Sequence, residues 1–307
     1  MSTVDISIII PVYNDPVGIR TTLYSLVQQN TSESYEILPV DNNSEDATGS
    51  VIASCETRYP SLVNGLEKND VQGQFAALNH GIQHASGRLL CFMDADMYAP
   101  PHYLERASTF MRGPEKQYAG CNVEVVTGTS ASIAAKYDAL FGFDSAKYVQ
   151  TYNFAGTGCL LTSKDLFEQV GGFDEKLVSS GDLEFGQRVC KAGIPQHFAD
   201  HITLYHPARR YVSGHIKQRF RIGRGKYQMK CFYPEYHSGK TFTDALGDLL
   251  LNPFRFRRTC ESRGILNRVS IAMMFVLSMI RRGAACLGVL YETVRMNRTY
   301  EERTQRG

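Results

Sequence analysis

The residues best placed to do chemistry are two carboxylates one position apart, Asp94 and Asp96, where an apolar run stops in LLCFMDADMYAP. On extended backbone, positions i and i+2 face the same way. Such a pair can give one carboxylate to a hard divalent cation and the other to a nearby donor or bound water. Mg2+ or Mn2+ held like this keeps several waters and takes phosphate oxygens as further ligands. A solvated acidic turn is the other reading of the same three letters. More candidates follow along the chain: Asn14 after ISIIIPVY, Asp41 after YEILPV, Asp182 and Glu184 in SSGDLEFGQR, and His206 in ITLYHPARR. A lone histidine serves structure as readily as it binds metal. Two acids in a helix's first turn are also favoured simply by its dipole.

The surrounding elements must bring these groups together. Residues 5–14 read as a buried strand, rich in isoleucine and stopped by Pro11. Residues 16–29 have helical periodicity, and 35–44 form a second strand ending in polar residues. Ser44 is suited to cap a helix beginning in EDATGSVIASC. Residues 78–85 fit a helix closed by Gly87, and 89–93 form another strand. Strands alternating with helices imply a parallel sheet covered on both faces. Ligands of such sheets bind beyond the carboxyl ends of the strands. Asn14, Asp41 and Asp96 all fall there.

Length and composition limit the classes. With 307 residues and 43% apolar content the chain can bury a large core, with room for an appendage. Eight cysteines are spread singly with no C-x-x-C pair, which suggests neither a zinc ribbon nor a redox motif. Together with an N-terminus lacking a signal-peptide pattern, this predicts a cytoplasmic location. The net charge of +2 hides a division. Residues 1–204 carry 13 basic and 24 acidic side chains, and residues 205–307 carry 20 and 7. The last third therefore suits an anionic partner: phosphates, a membrane surface, or the acidic part of the same chain. No nucleic-acid recognition motif accompanies it.

Residues 269–280 and 283–291 are free of charge but are separated by Arg281 and Arg282. A spanning helix needs about 20 consecutive apolar residues. An interfacial helix or a re-entrant pair is therefore the membrane reading, and a core or subunit-packing helix the alternative.

Three segments in order, ISIIIPVYND, VQGQFAALNHGIQHASGRLLCFMDAD and FEQVGGFDEKLVSSGDLEFGQRVCKAG, resemble the family-2 glycosyltransferases over roughly residues 5–210. The matching positions of the second segment include Gly73, Ala77, Asn79, Gly81, Ala85, Gly87, Asp94 and Asp96. The resemblance implies a GT-A fold and a nucleotide-sugar donor. It implies that Asp41 bonds the nucleobase, with Pro11 and Tyr13 as the pocket wall and Asn14 beside them. It implies that Asp94 meets the ribose or the metal's water shell and that Asp96 ligates the metal. Asp182 matches the family's catalytic base, with Glu184 as runner-up. If this segment is helical the two acids point about 200° apart, so that only one reaches the site. Gly181 departs from the glutamate often found there, and Leu78 from a frequent basic residue. His206 is expected to complete the metal or pyrophosphate site.

Residues 153–161, with Asn153, Gly156, Thr157 and Gly158, are expected to line the acceptor cleft. FRIGRGK, with Arg221 and Arg224, looks like a family loop that closes over the nucleotide. Arg209, Arg210, Arg219 and Lys226 extend that basic stretch, which can bind a diphosphate or a lipid phosphate, or simply face solvent.

The expected protein is thus an α/β enzyme with a Rossmann-like mixed sheet flanked by helices. Its GT-A domain covers residues 1–235, with a donor half to about 98 and an acceptor half beyond. A basic, partly apolar helical extension follows over 236–307, suited to a membrane surface. The expected activity is inverting transfer, using Mn2+ or Mg2+, from a nucleoside-diphosphate sugar to a hydroxyl of a carbohydrate or lipid-linked acceptor. A nucleotidyltransferase is the alternative enzyme, but the first strand is not followed by that class's glycine-rich basic loop. A catalytically inactive nucleotide-sugar binder is a third reading, opposed by the joint presence of Asp41, Asp94, Asp96 and Asp182. No G-x-G-x-x-G follows the first strand, which argues against a dehydrogenase.

Overall fold

A computed structural model describes residues 4–129, 131–236 and 252–304, with side chains to 298. In chain order the elements are β1 (Ile6–Val12), α1 (Pro16–Leu26), β2 (Tyr35–Asp41), α2 (Thr48–Arg58), β3 (Leu66–Glu67), α3 (Gln74–His84), β4 (Leu89–Phe92) and α4 (Tyr103–Met111). Then come β5 (Tyr118–Val126), α5 (Ile133–Phe141), α6 (Ser145–Tyr152), β6 (Leu160–Ser163), α7 (Lys164–Val170), α8 (Gly181–Lys191) and β7 (Gln196–Pro207). The last helices are α9 (Val212–Phe232), α10 (Pro253–Ser262) and α11 (Arg268–Thr304).

The chain forms two compact units. The first, residues 1–126, 143–176 and 181–207, holds a seven-stranded sheet in the order β3-β2-β1-β4-β6-β5-β7. β1 runs parallel to β2 and β4, and β5 parallel to β7, while β6 is antiparallel to both β4 and β5. β1 lies in the middle of its parallel neighbours. Ile6, Ile8, Ile9 and Ile10 are all buried, as a strand covered on both faces requires. Asp15 caps α1 by accepting from Gly18 N at 2.9 Å, and Pro16 opens the helix at its first position.

Two local expectations are corrected. α2 starts at Thr48, where Asp46 accepts from the Thr48 amide at 2.9 Å, and Ser44 bonds instead to the Asn14 amide at 2.9 Å. Gly87 does not close α3, which ends at His84. It lies against β1, where a β-carbon would come 2.6 Å from the Ile6 carbonyl carbon.

The second unit, residues 127–142, 177–180 and 208–307, is built on α5, α9, α10 and α11. The last crossing between the units follows Pro207. Of the expected extension over 236–307, residues 237–251 lie outside the described residues. FRIGRGK is not a loop: it lies inside α9. Its glycines serve packing, since a β-carbon on Gly223 would come 2.0 Å from the Ala285 carbonyl oxygen of α11. α11 is one continuous helix, which overturns the re-entrant pair. It is long and apolar enough to cross a membrane by length and composition. Ile271, Met274 and Leu277 join Ala134, Tyr137, Phe256 and Cys260 in this unit's core.

Candidate active site

The acidic turn leaves β4 with its backbone already committed. The Met93 amide donates to Ile9 O at 3.2 Å, and the Met97 amide to Asp94 O at 3.2 Å. Thr22 of α1, fully buried, lies with its hydroxyl 2.8 Å from Ala95 O and 2.7 Å from Met97 O. The next residue, Tyr98, exchanges both backbone hydrogen bonds with Tyr205 of β7, at 2.8 and 2.9 Å. That bridge sets Asp96 beside His206.

His206 is 3% exposed, and its Nε2 lies 3.5 Å from Asp96 Oδ1. Its Nδ1 lies 2.7 Å from the Pro207 carbonyl, which can only accept, so that nitrogen carries the proton. In the neutral ring Nε2 is then a lone pair facing a carboxylate. Two acceptors face each other, and a cation between them satisfies both. A histidine held by its other nitrogen to a carbonyl is also the usual setting of a metal ligand. Among the described residues no cluster of three His, Cys, Asp or Glu side chains surrounds this point. The donor set suits a hard cation that takes its remaining ligands from water and phosphate.

The acceptor-side candidates share one segment. Gly156 opens the short helical turn Thr157–Cys159 that leads into β6. A β-carbon on Gly158 would come 2.7 Å from the Asp94 carboxylate, and one on Gly156 would come 4.0 Å from Asp182 Oδ2. Asp94 and Asp182 therefore both border this turn. Thr157, nearly buried, accepts from Gln74 Nε2 at 2.9 Å, which ties the turn to the start of α3 just after Gly73. Asn153 ends α6 in the left-handed conformation, φ 52°.

Asp182 lies in the first turn of α8, where its Oδ1 accepts from the Leu183 amide at 2.9 Å. Its charge is felt by the buried Tyr118 phenol, whose pKa rises mainly through burial and further through Asp182. Gly181, the departure from the family pattern, seats the Phe75 ring where a β-carbon would come within 2.6 Å.

Glu184, the runner-up base, is engaged by a neighbour on its own helix. It is 2% exposed and holds Arg188 in a two-pronged pair at 2.8 and 2.7 Å. Arg188 also donates to the Gly171 and Gly172 carbonyls, at 3.2 and 2.8 Å. Glu184 thus braces the GGFDE loop through Arg188.

At the other strand ends, Asp41 Oδ1 accepts from the Ser44 amide at 3.0 Å. Asn14, at φ 50°, accepts from the Glu45 amide at 2.8 Å and so joins the loops after β1 and β2. Pro11 is half-buried and Tyr13 is 47% exposed beside them in the chain. Asn42 Oδ1 is buried without a partner.

Asn79, expected among the donor contacts, is engaged within the protein. It accepts from the Phe173 amide and donates to Phe173 O and Glu175 Oε1, each at 2.9 Å. Its side chain staples α3 to the GGFDE loop. Arg221 and Arg224 belong to the helical unit, where Arg224 pairs with the buried Glu292 at 2.7 Å. Arg209 likewise pairs with buried Asp138 at 3.1 Å. Both guanidinium groups are thus already engaged by buried carboxylates.

Sequence reasoning missed Thr22, Gln74 and Arg188. Thr22 was detectable as a polar residue within the apolar periodicity of α1. Gln74 acts through a distant partner and left no such signal, whereas Arg188 follows Glu184 at an i,i+4 spacing that could have marked the pair.

A mixed sheet with acidic groups gathered at the carboxyl ends of β2 and β4, extended by β5 to β7, is the GT-A architecture of glycosyltransferases. Residues 7–171 match the family described as Glycosyl transferase family 2, and the chain belongs to that family. It is similar to Glycosyltransferase AglE of Haloferax volcanii, 34% identical over 225 residues and 73% of each chain. A Methanococcus voltae relative, dolichyl N-acetyl-alpha-D-glucosaminyl phosphate 3-beta-D-2,3-diacetamido-2,3-dideoxy-beta-D-glucuronosyltransferase, is 27% identical over 232 residues and 72% of each chain. In fold it is similar to the mannosyltransferase PcManGT from Pyrobaculum calidifontis, in complex with GDP-Man and Mn2+. That likeness has a TM-score of 0.61 at 18% identity, over 95% of this chain and 88% of the other. The chain is a glycosyltransferase.

Proposed function

We propose that this enzyme moves a sugar, with inversion and with the help of a divalent cation, from a nucleoside-diphosphate sugar to a hydroxyl of a lipid-linked or carbohydrate acceptor. The observation that carries the reading is the joint placement of Asp94 and Asp182 on the 156–158 turn, with Asp96 facing His206. The Mn2+ complex of the mannosyltransferase supports the cation, and the dolichyl-linked name of the archaeal relative supports a lipid-linked acceptor.

In this mechanism residues 1–98 bind the donor and the rest of the sheet unit, from residue 99, binds the acceptor. Asp41 accepts from the base in a pocket walled by Pro11 and Tyr13. Asp94 orients the ribose or a water, and Asp96 and His206 hold the cation. When bound, Mn2+ or Mg2+ offsets charge on the departing diphosphate. Asp182 takes the proton from the acceptor hydroxyl as its oxygen attacks the anomeric carbon opposite the leaving group. An α-linked donor therefore gives a β-linked product. Asp182 sits in the first turn of α8, where the helix dipole favours negative charge.

The helical unit supports attachment to the cytoplasmic face of a membrane. Val269, Met273, Val276, Ile280, Leu287, Leu290 and Val294 of α11 are exposed, at spacings of three, four and seven. They form one apolar stripe in the basic third of the chain, a composition that suits an anionic lipid surface.

The test is a panel of nucleotide sugars and lipid-linked or saccharide acceptors, with Mn2+ or with chelator, scored by nucleoside diphosphate release. Metal-dependent turnover on one pair, with a product of inverted anomeric configuration, is expected. Retained configuration or chelator-resistant turnover would overturn the mechanism. Release of pyrophosphate in place of a nucleoside diphosphate would favour the nucleotidyltransferase.

A further inference from the structure

One cluster in the helical unit gathers arginines around a single buried carboxylate, Asp138. Arg281, in the middle of α11, is 2% exposed. Its Nη1 donates to His215 Nδ1 of α9, and His215 Nε2 donates to Ala134 O at 3.1 Å, so this histidine is neutral. The Arg281 guanidinium also lies 4.9 Å over the Tyr137 ring. Its Nη2 is buried with no partner. Arg219 lies one turn along α9 from His215, and its Nε is likewise buried and unpartnered.

One carboxylate answers them, and it is already engaged. Asp138 of α5, fully buried, accepts from the Arg209 backbone amide at 2.9 Å and from Arg209 Nη1 at 3.1 Å. Its Oδ1 is 3.8 Å from His215 Nδ1. Among the described residues three guanidinium groups therefore share one negative charge. The strain registers on Arg281, whose pKa falls to about 10 through burial first and the nearby Arg219 charge next. A buried charged donor without a partner is costly, and a helix core does not keep two of them without cause.

We propose that Arg219 and Arg281, with Arg209 beside them, form an anion site in the helical unit that takes a phosphate group. Guanidinium forks match phosphate oxygens in pairs. Donors arriving from separate segments suit a tetrahedral oxyanion better than a planar carboxylate, and a dianion would balance the two unmatched charges. The phosphate has two sources, a free anion or a lipid headgroup brought by the apolar stripe of the same α11. All of these residues belong to the helical unit.

The full chain in neutral detergent is titrated with inorganic phosphate against potassium chloride at matched ionic strength, and thermal unfolding is followed. In parallel it is mixed with phosphatidylcholine vesicles with or without phosphatidic acid. A saturable rise of a few degrees in the midpoint is expected from one source. A response to inorganic phosphate identifies a free anion, and a response to phosphatidic acid alone identifies the headgroup. Arg219→Gln, at a partly exposed residue, should weaken the apparent affinity on the order of tenfold. Its midpoint in chloride reports that it folds, which Arg281→Gln is less sure to do. No saturable response to either source, or an equal response in folded Arg219→Gln, would overturn the site. Transfer activity is not a readout, so this failure and a failure of the transfer reading are told apart.

Discussion

His206 Nε2 stands 3.5 Å from Asp96 Oδ1, while the other ring nitrogen gives its proton to the Pro207 carbonyl at 2.7 Å. The pair joins the end of β4 to the end of β7, and the Tyr98–Tyr205 bridge between those segments fixes their approach. Because the Pro207 carbonyl holds Nδ1, Nε2 is the nitrogen turned toward Asp96. The same carboxylate acts at a distance on Asp15, the cap of α1. Its pKa is raised by burial, eased by the Gly18 amide, and raised again by Asp96.

Removing either partner should therefore damage cation binding. His206→Gln and Asp96→Asn are each expected to lower metal-dependent turnover on the order of 100-fold. Mn2+ titration of the folded variants should show weakened binding. Wild-type Mn2+ affinity in His206→Gln would remove the histidine from the site.

Asp182 and Glu184 should part company on mutation. Asp182→Asn keeps shape and should cost about 10²- to 10⁴-fold in kcat with nucleotide-sugar binding retained. Glu184→Gln breaks the pair with Arg188 and should cost about 1.5–3 kcal/mol in stability, with kcat of the folded fraction nearly unchanged. Calorimetric binding and denaturant melts separate the two effects. Full turnover in Asp182→Asn would end its assignment as base.

Much of this was legible in the sequence, for definable reasons. The isoleucines of β1 and the apolar run of β4 carry their burial in their composition, and a strand end must follow where such a run meets Asp94. The candidate base was legible through a motif in known order. What stayed hidden depends on partners far along the chain. Glycines in FRIGRGK suggest a loop locally, but Gly223 lies in a helix because α11 passes close to it. Nothing near Asn79 shows that Phe173 claims it. Arg224 looked available for phosphate until Glu292, near the other end of the helical unit's sequence, was placed against it.

Gly158→Ala tests whether the 156–158 turn holds Asp94 in place. The new methyl would sit 2.7 Å from that carboxylate, so the acid must move. Donor affinity should fall by about tenfold or more while stability changes by about 1 kcal/mol or less, since a side chain can yield where backbone cannot. Isothermal titration with nucleotide sugar and Mn2+ checks it. Gly223→Ala is the contrasting case, because there the methyl meets a carbonyl at 2.0 Å. It should cost about 1–3 kcal/mol in stability.

Glu292 should make the helical unit sensitive to acid. Burial alone would raise its pKa, but hydrogen bonds from Arg295 and Arg224 outweigh burial and hold it below the ordinary carboxylate value. With the folded pKa below the unfolded one, its contribution is complete above about pH 4.3 and is lost as pH falls through the folded pKa. Thermal midpoints measured from pH 6 to pH 3 should drop more steeply in wild type than in Glu292→Gln. The variant should start about 2–4 kcal/mol less stable at pH 7, because two arginines lose their partner. Parallel curves would show that another carboxylate governs the acid transition.

The stripe on α11 makes the last prediction. Val276 and Leu287 are 56% and 61% exposed and lie on the same helix face as Val269 and Val294. A glutamate at either position touches no core contact, so the fold should survive with a change within about 0.5 kcal/mol. The charge would, however, have to enter the headgroup region of an anionic bilayer and be repelled there. Val276→Glu with Leu287→Glu should lower flotation with vesicles containing anionic lipid by about tenfold or more. Transfer to a water-soluble acceptor should be unchanged. Undiminished flotation of the double variant would show that the apolar face of α11 does not rest on lipid.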